Sequence, residues 1–183
     1  MKPQLIGLYS SAPQSGKSVV AKYLSETYGY TVVPFASTLK EMLIPMLTAY
    51  GYSEREARHY VYEEKQHRLP YLGVTVRHLL QTLGTEWGRQ CVHPHLWTEC
   101  WKRRSRKYAY VVVDDVRFPN EAELVRGARG TDQGQLWSVR RPGASVGPAH
   151  ASEGSLDGWV FDQTLSNSGT IDELHTLIDK ILN

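Results

Sequence analysis

The stretch Ser11-Ala12-Pro13-Gln14-Ser15-Gly16-Lys17-Ser18 concentrates the residue types that can hold a phosphate chain. An apolar run, Leu5 to Tyr9, precedes it, and a helix-like run, Val19 to Leu24, follows it. Strand, small-residue loop, Gly-Lys-Ser, then helix is the order a phosphate-cradling loop requires. Backbone N–H groups from Ala12, Gln14, Ser15 and Gly16 to the helix start would face the anion, and the helix dipole favours negative charge there. Lys17 would add a point charge near the β- and γ-phosphates, and Ser18 a hydroxyl for Mg²⁺. Ser11 stands where the pattern G-x-x-x-x-G-K-[ST] has its first glycine, so that turn must tolerate a Cβ. The competing reading is an ordinary turn in which Ser18 caps a helix.

A second acidic centre follows another apolar run. Ala109 to Val113 is continuous and apolar and ends in Asp114-Asp115. A carboxylate at a strand end can hold Mg²⁺ directly or through water. Alternation along an extended chain points the two side chains different ways, which leaves the choice between them open. Starting a turn or capping a helix is the other use for either.

The elements that must position these groups alternate in type. Strands are expected near 4–10, 31–35, 109–113, 135–139 and 159–165, and helices near 17–28, 37–49, 53–66, 75–88, 94–101, 119–127 and 170–181. Pro45 should kink or divide the second helix. Ser53-Glu54-Arg55-Glu56 and Thr170-Ile171-Asp172-Glu173 have the form of capping boxes. The charged, tyrosine-rich stretch after Ser53 reads as a surface excursion rather than core. Val76, Leu79, Leu80, Leu83 and Trp87 form a buried stripe at helical spacing, with Arg77, Gln81 and Thr85 on another face. Residues 140–158, rich in Gly, Pro, Ser and Ala, read as a loop or lid. The pattern predicts a three-layer α/β domain over residues 1–183 with a mostly parallel sheet of about five strands. A helical excursion fills residues 36–105. Ligands in such sheets bind beyond the carboxyl ends of the strands, where the loop at 11–18, Phe35, Asp114-Asp115 and Arg140-Arg141 fall.

Composition bounds the alternatives. The 183 residues are 41% hydrophobic and 22% charged, with a formal net charge of +2. That suffices for a core and creates no bulk field that calls for nucleic acid. No apolar run is long enough to span a bilayer. The chain enters a strand almost at once, which argues against a secretory signal, and two cysteines form no disulfide framework. A cytosolic enzyme is the expectation. Cys91, His93, His95 and Cys100 fit no tetrahedral zinc spacing well. The basic run Lys102 to Lys107 reads as a solvated helix end, with a nucleic-acid contact as the alternative.

Val112-Val113-Asp114-Asp115-Val116-Arg117-Phe118-Pro119-Asn120-Glu121 closely resembles the signature of the bacteriophage deoxynucleoside monophosphate kinases. The resemblance continues through Pro34-Phe35-Ala36 with Lys40, Leu80 to Glu86, His93-Pro94 with Trp97, His150-Ala151-Ser152-Glu153 and Asn167 to Leu174. It implies a P-loop kinase fold, ATP and Mg²⁺ as cofactors, and transfer of the γ-phosphoryl group to a deoxynucleoside 5′-monophosphate. It also implies Asn167 beside the cofactor, a homodimer with the segment at 50–71 as a plausible interface, and the host cytoplasm for a phage-encoded chain. A monophosphate acceptor suits bidentate guanidinium groups, so Arg117 and Arg77 are the first candidates, followed by Lys40. Asp115 and Glu153 are further substrate candidates. Gln81 could read a base edge, and Phe35 and Trp97 could stack on base or sugar. Core packing competes for both rings, a solvated face for Arg77, and an ion pair with Glu121 for Arg117. Arg140 and Arg141 could clamp the transferring group. Two other functions remain open: phosphorylation of a hydroxymethylated base within DNA, and nucleotide binding without catalysis. The preferred base is not legible.

Overall fold

The computed structural model describes residues 2–127, 134–143 and 155–183. Of the loop expected at 140–158, residues 144–154 lie outside these, and with them the candidate Glu153 and its neighbours His150 and Ser152. The chain divides into two compact units, residues 1–34 with 104–183, and residues 35–103.

The first unit is built on a five-stranded sheet in which every pairing is parallel. Its strands are β1 (Leu5–Tyr9), β2 (Thr31–Val32), β3 (Val111–Val113), β4 (Gly134–Arg140) and β5 (Gln163–Ser166), in the order β2-β3-β1-β4-β5. All of β1 and β3 is buried, which is why both read as unbroken apolar runs. Helices α1 (Lys17–Tyr28) and α7 (Ile171–Leu182) cover one face. Ile6 and Leu8 join Val20, Leu24, Leu174 and Ile178 in that core. Side chains alternate along β1, so Gly7 faces the other way, and a Cβ there would lie 2.8 Å from Val125 of α6 (Pro119–Gly127). Helix, sheet, helix is the resulting layer order.

Two strands are shorter or later than expected. β2 stops at Val32, although Val33 N–H still donates to Val112 at 2.9 Å. β5 begins at Gln163 rather than 159. Trp159 N–H turns back to Leu156, and Val160 is exposed, so those apolar residues serve a turn.

The second unit contains α2 (Ser37–Tyr50), α3 (Glu54–Tyr62) and α4 (Val76–Thr82). Pro45 lies inside α2 without dividing it. Ser53 and Glu56 form the capping box expected of them, with Ser53 N–H donating to Glu56 Oε2 at 2.8 Å. Most of α3 is exposed, as its charge suggests, and it docks through one narrow strip, with Ala57 and Val61 fully buried against Leu43, Leu47, Leu69 and Val76. The nearby rings of Tyr60 and His67 stack 3.7 Å apart, and Tyr52 Oη lies 2.8 Å from His67 Nε2. From Leu83 to Val92 the helix widens into a ten-residue π-helical stretch, followed by α5 (Leu96–Ser105). This removes Trp87 from the expected stripe, whose Val76, Leu79 and Leu80 do pack into that core. Bonding to i+5 adds a residue to each turn, so Trp87 leaves the 3.6-residue face and is 43% exposed. Gly84 and Gly88 take the buried positions.

Candidate active site

Between β1 and α1 the chain turns twice through left-handed conformations, at Gln14 (φ 55°) and Gly16 (φ 103°). Ser11, the departure from the glycine pattern, is not among the positive-φ residues and tolerates its Cβ. Gly16 is the N-cap of α1 and offers no side chain to the helix start, whose first turn carries no acidic residue. Ser18 lies inside the helix, so it is not the cap of an ordinary turn. A helix start without side-chain cap or carboxylate leaves its N–H groups and partial positive charge for an external anion. Ser15 is buried, and Lys17 Nζ reaches its Oγ at 3.4 Å.

The parallel register brings other candidates to the same sheet edge. Gly7 pairs with Val113, Tyr9 with Ser138, and Arg140 with Ser166. At or just beyond the ends of these strands lie the loop at 10–16, Asp114 to Arg117, Arg140-Arg141 and Asn167. Asn167 Nδ2 donates to the Ser15 carbonyl at 2.9 Å. Arg117, Arg140 and Arg141 are exposed. Asp114 and Asp115 are half-buried, and one carboxylate oxygen of Asp114, Oδ1, is buried and accepts no hydrogen bond, while the residue as a whole is engaged by its neighbours.

Among the described residues no three His, Cys, Asp or Glu side chains converge on a metal position. Mg²⁺ in nucleotide enzymes needs one or two carboxylates with phosphate oxygens and water. Ser18 in the first turn of α1 and the pair Asp114-Asp115 after β3 are the right donor chemistry for that.

Glu121 has a role beyond the ion pair with Arg117 weighed from the sequence. Its buried carboxylate accepts from the backbone N–H of Arg117 at 2.7 Å and of Phe118 at 3.1 Å. The carboxylate therefore shapes the turn carrying Arg117. Its place two residues after Pro119, at the third helical position, was the available signal. Tyr9 Oη donates to Asp157 Oδ1 at 2.8 Å and its ring stacks on Phe161. A separation of 148 residues left no local cue for that bond.

Five of the acceptor candidates, Phe35, Lys40, Arg77, Gln81 and Trp97, lie within the second unit, which Phe35 opens. Arg77 is exposed at the start of α4, and Gln81 is half-buried on the same helix. Lys40 Nζ sits 5.2 Å from the centre of the Tyr62 ring. Phe35 and Trp97 are each only 3% exposed. Phe35 lies against Trp101 with ring centres 5.0 Å apart. Trp97 donates its indole N–H to the Gly84 carbonyl at 2.8 Å. Core packing, not a face open for stacking, describes both rings.

Residues 59–178 match the family described as deoxynucleotide monophosphate kinase. A chain of Acanthamoeba polyphaga mimivirus that carries that name is 31% identical over 193 residues, covering 95% of this chain and 93% of its own. The deoxynucleoside-5′-monophosphate kinase of Escherichia phage T5 is 40% identical over 76 residues, 40% of this chain and 30% of that one. Among solved structures, dephospho-CoA kinase from Campylobacter jejuni aligns with 97% of this chain and 95% of its own at a TM-score of 0.42 and 9% identity. The family match spans Asp114 to Glu121 and Asn167, and the mimivirus relative extends the likeness along nearly the whole sequence: the chain belongs to the deoxynucleotide monophosphate kinase family.

Proposed function

We propose that this protein transfers the γ-phosphoryl group of ATP to a deoxynucleoside 5′-monophosphate. The observation that carries the reading is the uncapped, glycine-turned loop at the start of α1, with Lys17 beside it, in a chain of this family. Ala12, Gln14, Ser15 and Gly16 contribute the amide cradle for the triphosphate, and Lys17 the charge near its end. Ser18 with Asp114 or Asp115 would hold Mg²⁺, which when bound neutralises charge on the phosphate oxygens. Arg117, Arg77 and Lys40 are assigned to the acceptor phosphate, with Asp115 a further substrate contact, and Gln81 to its base. Arg140 and Arg141 are assigned to the charge that builds up during transfer.

The reaction balances without a strong base. An acceptor phosphate oxygen, already ionised, forms a bond to the γ-phosphorus while the bond to the β–γ bridging oxygen breaks and ADP departs.

A coupled ADP-release assay with each deoxynucleoside monophosphate tests the proposal. Lys17→Ala should lower kcat at least about a hundredfold, the scale of losing one aimed charge donor. Arg117→Ala should raise KM for the monophosphate at least about tenfold while KM for ATP holds. A folded sample that binds ATP and turns over no monophosphate refutes the assignment.

A further inference from the structure

We propose that Asn167 is a positioning residue that sets the direction of the Gly16 amide in the phosphate loop. The inference rests on the reading of residues 11–18 as the triphosphate holder. Asn167 Nδ2 donates to the Ser15 carbonyl at 2.9 Å, and Ser15 is 1% exposed. The peptide joining Ser15 to Gly16 is trans and planar, so its C=O and N–H point in opposite directions. Holding the carbonyl toward Asn167 therefore holds the Gly16 N–H on the opposite side of the chain. This constraint acts where the backbone is least restricted, since Gly16 sits at φ 103° and a glycine gives up the most conformational freedom when ordered.

Two further observations fit the bond to this purpose. A Cβ on Gly16 would lie 2.5 Å from Asn167 Nδ2, so the amide group packs directly on the residue whose N–H it orients. Asn167 is itself referenced to the sheet. Its backbone N–H donates to the Arg140 carbonyl at 2.7 Å, one step beyond the paired residues Arg140 and Ser166. The loop is thus registered against the ends of β4 and β5 as well as against α1. A neutral donor is required here, because a carboxylate at 167 would set oxygen against the Ser15 carbonyl oxygen.

The test compares the full-length protein with Asn167→Ala, Asn167→Ser and Asn167→Asp. Calorimetric titrations use ATP and inorganic tripolyphosphate; an NMR titration uses adenosine; steady-state assays give KM for the monophosphate. In Asn167→Ala and Asn167→Ser, ATP and tripolyphosphate should bind about tenfold more weakly, the scale of one lost hydrogen bond. Asn167→Asp should lose more. Adenosine binding and the monophosphate KM should be unchanged in all three. Weaker adenosine binding with unchanged tripolyphosphate binding would overturn the proposal in favour of direct contact with the cofactor's base. Equal losses for every ligand would overturn it in favour of general unfolding of the site. Wild-type protein that binds neither ATP nor tripolyphosphate would refute the loop reading itself, and the proposal with it.

Discussion

Glu121 illustrates how one carboxylate can fix the path of several functional atoms. It reaches back to two consecutive backbone N–H groups, at Arg117 and Phe118, in the turn between β3 and α6. Removing it strands both donors in a partly buried turn. Glu121→Ala should therefore destabilise the protein by about 1–3 kcal/mol, measured as a fall in the urea midpoint. Glu121→Gln keeps one acceptor oxygen and should cost less. Residue chemistry was legible in the sequence where a side chain has one dominant use. The two capping-box pairs, Ser53 with Glu56 and Thr170 with Glu173, are of that kind. It was ambiguous where one side chain serves two ends. Phe35 and Trp97 have the same apolar faces for a base or for a core, and burial depends on distant residues. Glu121 stands four residues from Arg117, which suggested a side-chain pair, yet its position at the helix start directs it to backbone amides.

At the level of elements, the π-helical stretch from Leu83 to Val92 depends on a match between small and large residues. The Trp97 ring occupies the space in front of Gly88, where a Cβ would lie 2.5 Å from the indole. That ring is buried and tied to Gly84, so it has little room to yield. Gly88→Ala should cost about 1–3 kcal/mol through overpacking, read from chemical denaturation followed by far-UV circular dichroism. Helices α1, α2 and α7 and strands β1, β3 and β4 were legible from apolar runs, periodicity and caps. The wide turn was not, because a period of 3.6 was assumed and Trp87 fitted it by accident. Its one local trace is the pair of glycines at 84 and 88. α3 shows the converse: its charge foretold an exposed helix but hid the strip by which it packs. Its charged residues outnumber the two positions, Ala57 and Val61, that decide its burial.

For the whole molecule, the response to alkali follows from tyrosines that fold into hydrogen bonds. Tyr23 and Tyr28 of α1 both donate to Asp179 Oδ1 of α7, at 2.8 and 2.7 Å. The bond to Asp179 chiefly, then burial, pushes the Tyr28 hydroxyl up to about 12 from 10.0. The same bond raises Tyr23, and burial raises Tyr30. A group whose folded pKa exceeds its unfolded value contributes stability below the unfolded pKa and loses it as pH climbs through the folded one. The thermal midpoint should hold to about pH 10 and fall between about 10 and 12. Tyr28→Phe should fall less steeply over that window; an identical slope would show that the bond to Asp179 carries no pH dependence. The parallel sheet itself was legible at this scale from the alternation of strand and helix. Which helices would gather a second core, around Leu47 and Val61, was not, since that depends on contacts among four separate segments.

The order β2-β3-β1-β4-β5 also bears on how the chain reaches its native state. Leu5 must meet Val111 on one side and Gly134 on the other, and neither neighbour is synthesised until more than half of the polypeptide exists. Such distant partners carry a large loop-closure entropy, which slows assembly. The core around Leu43, Val61 and Val76 draws on a stretch of fewer than forty residues and can condense while the first strand still waits. Newly made protein therefore passes through a stage in which its first buried strand lacks both neighbours, the period of greatest exposure to aggregation.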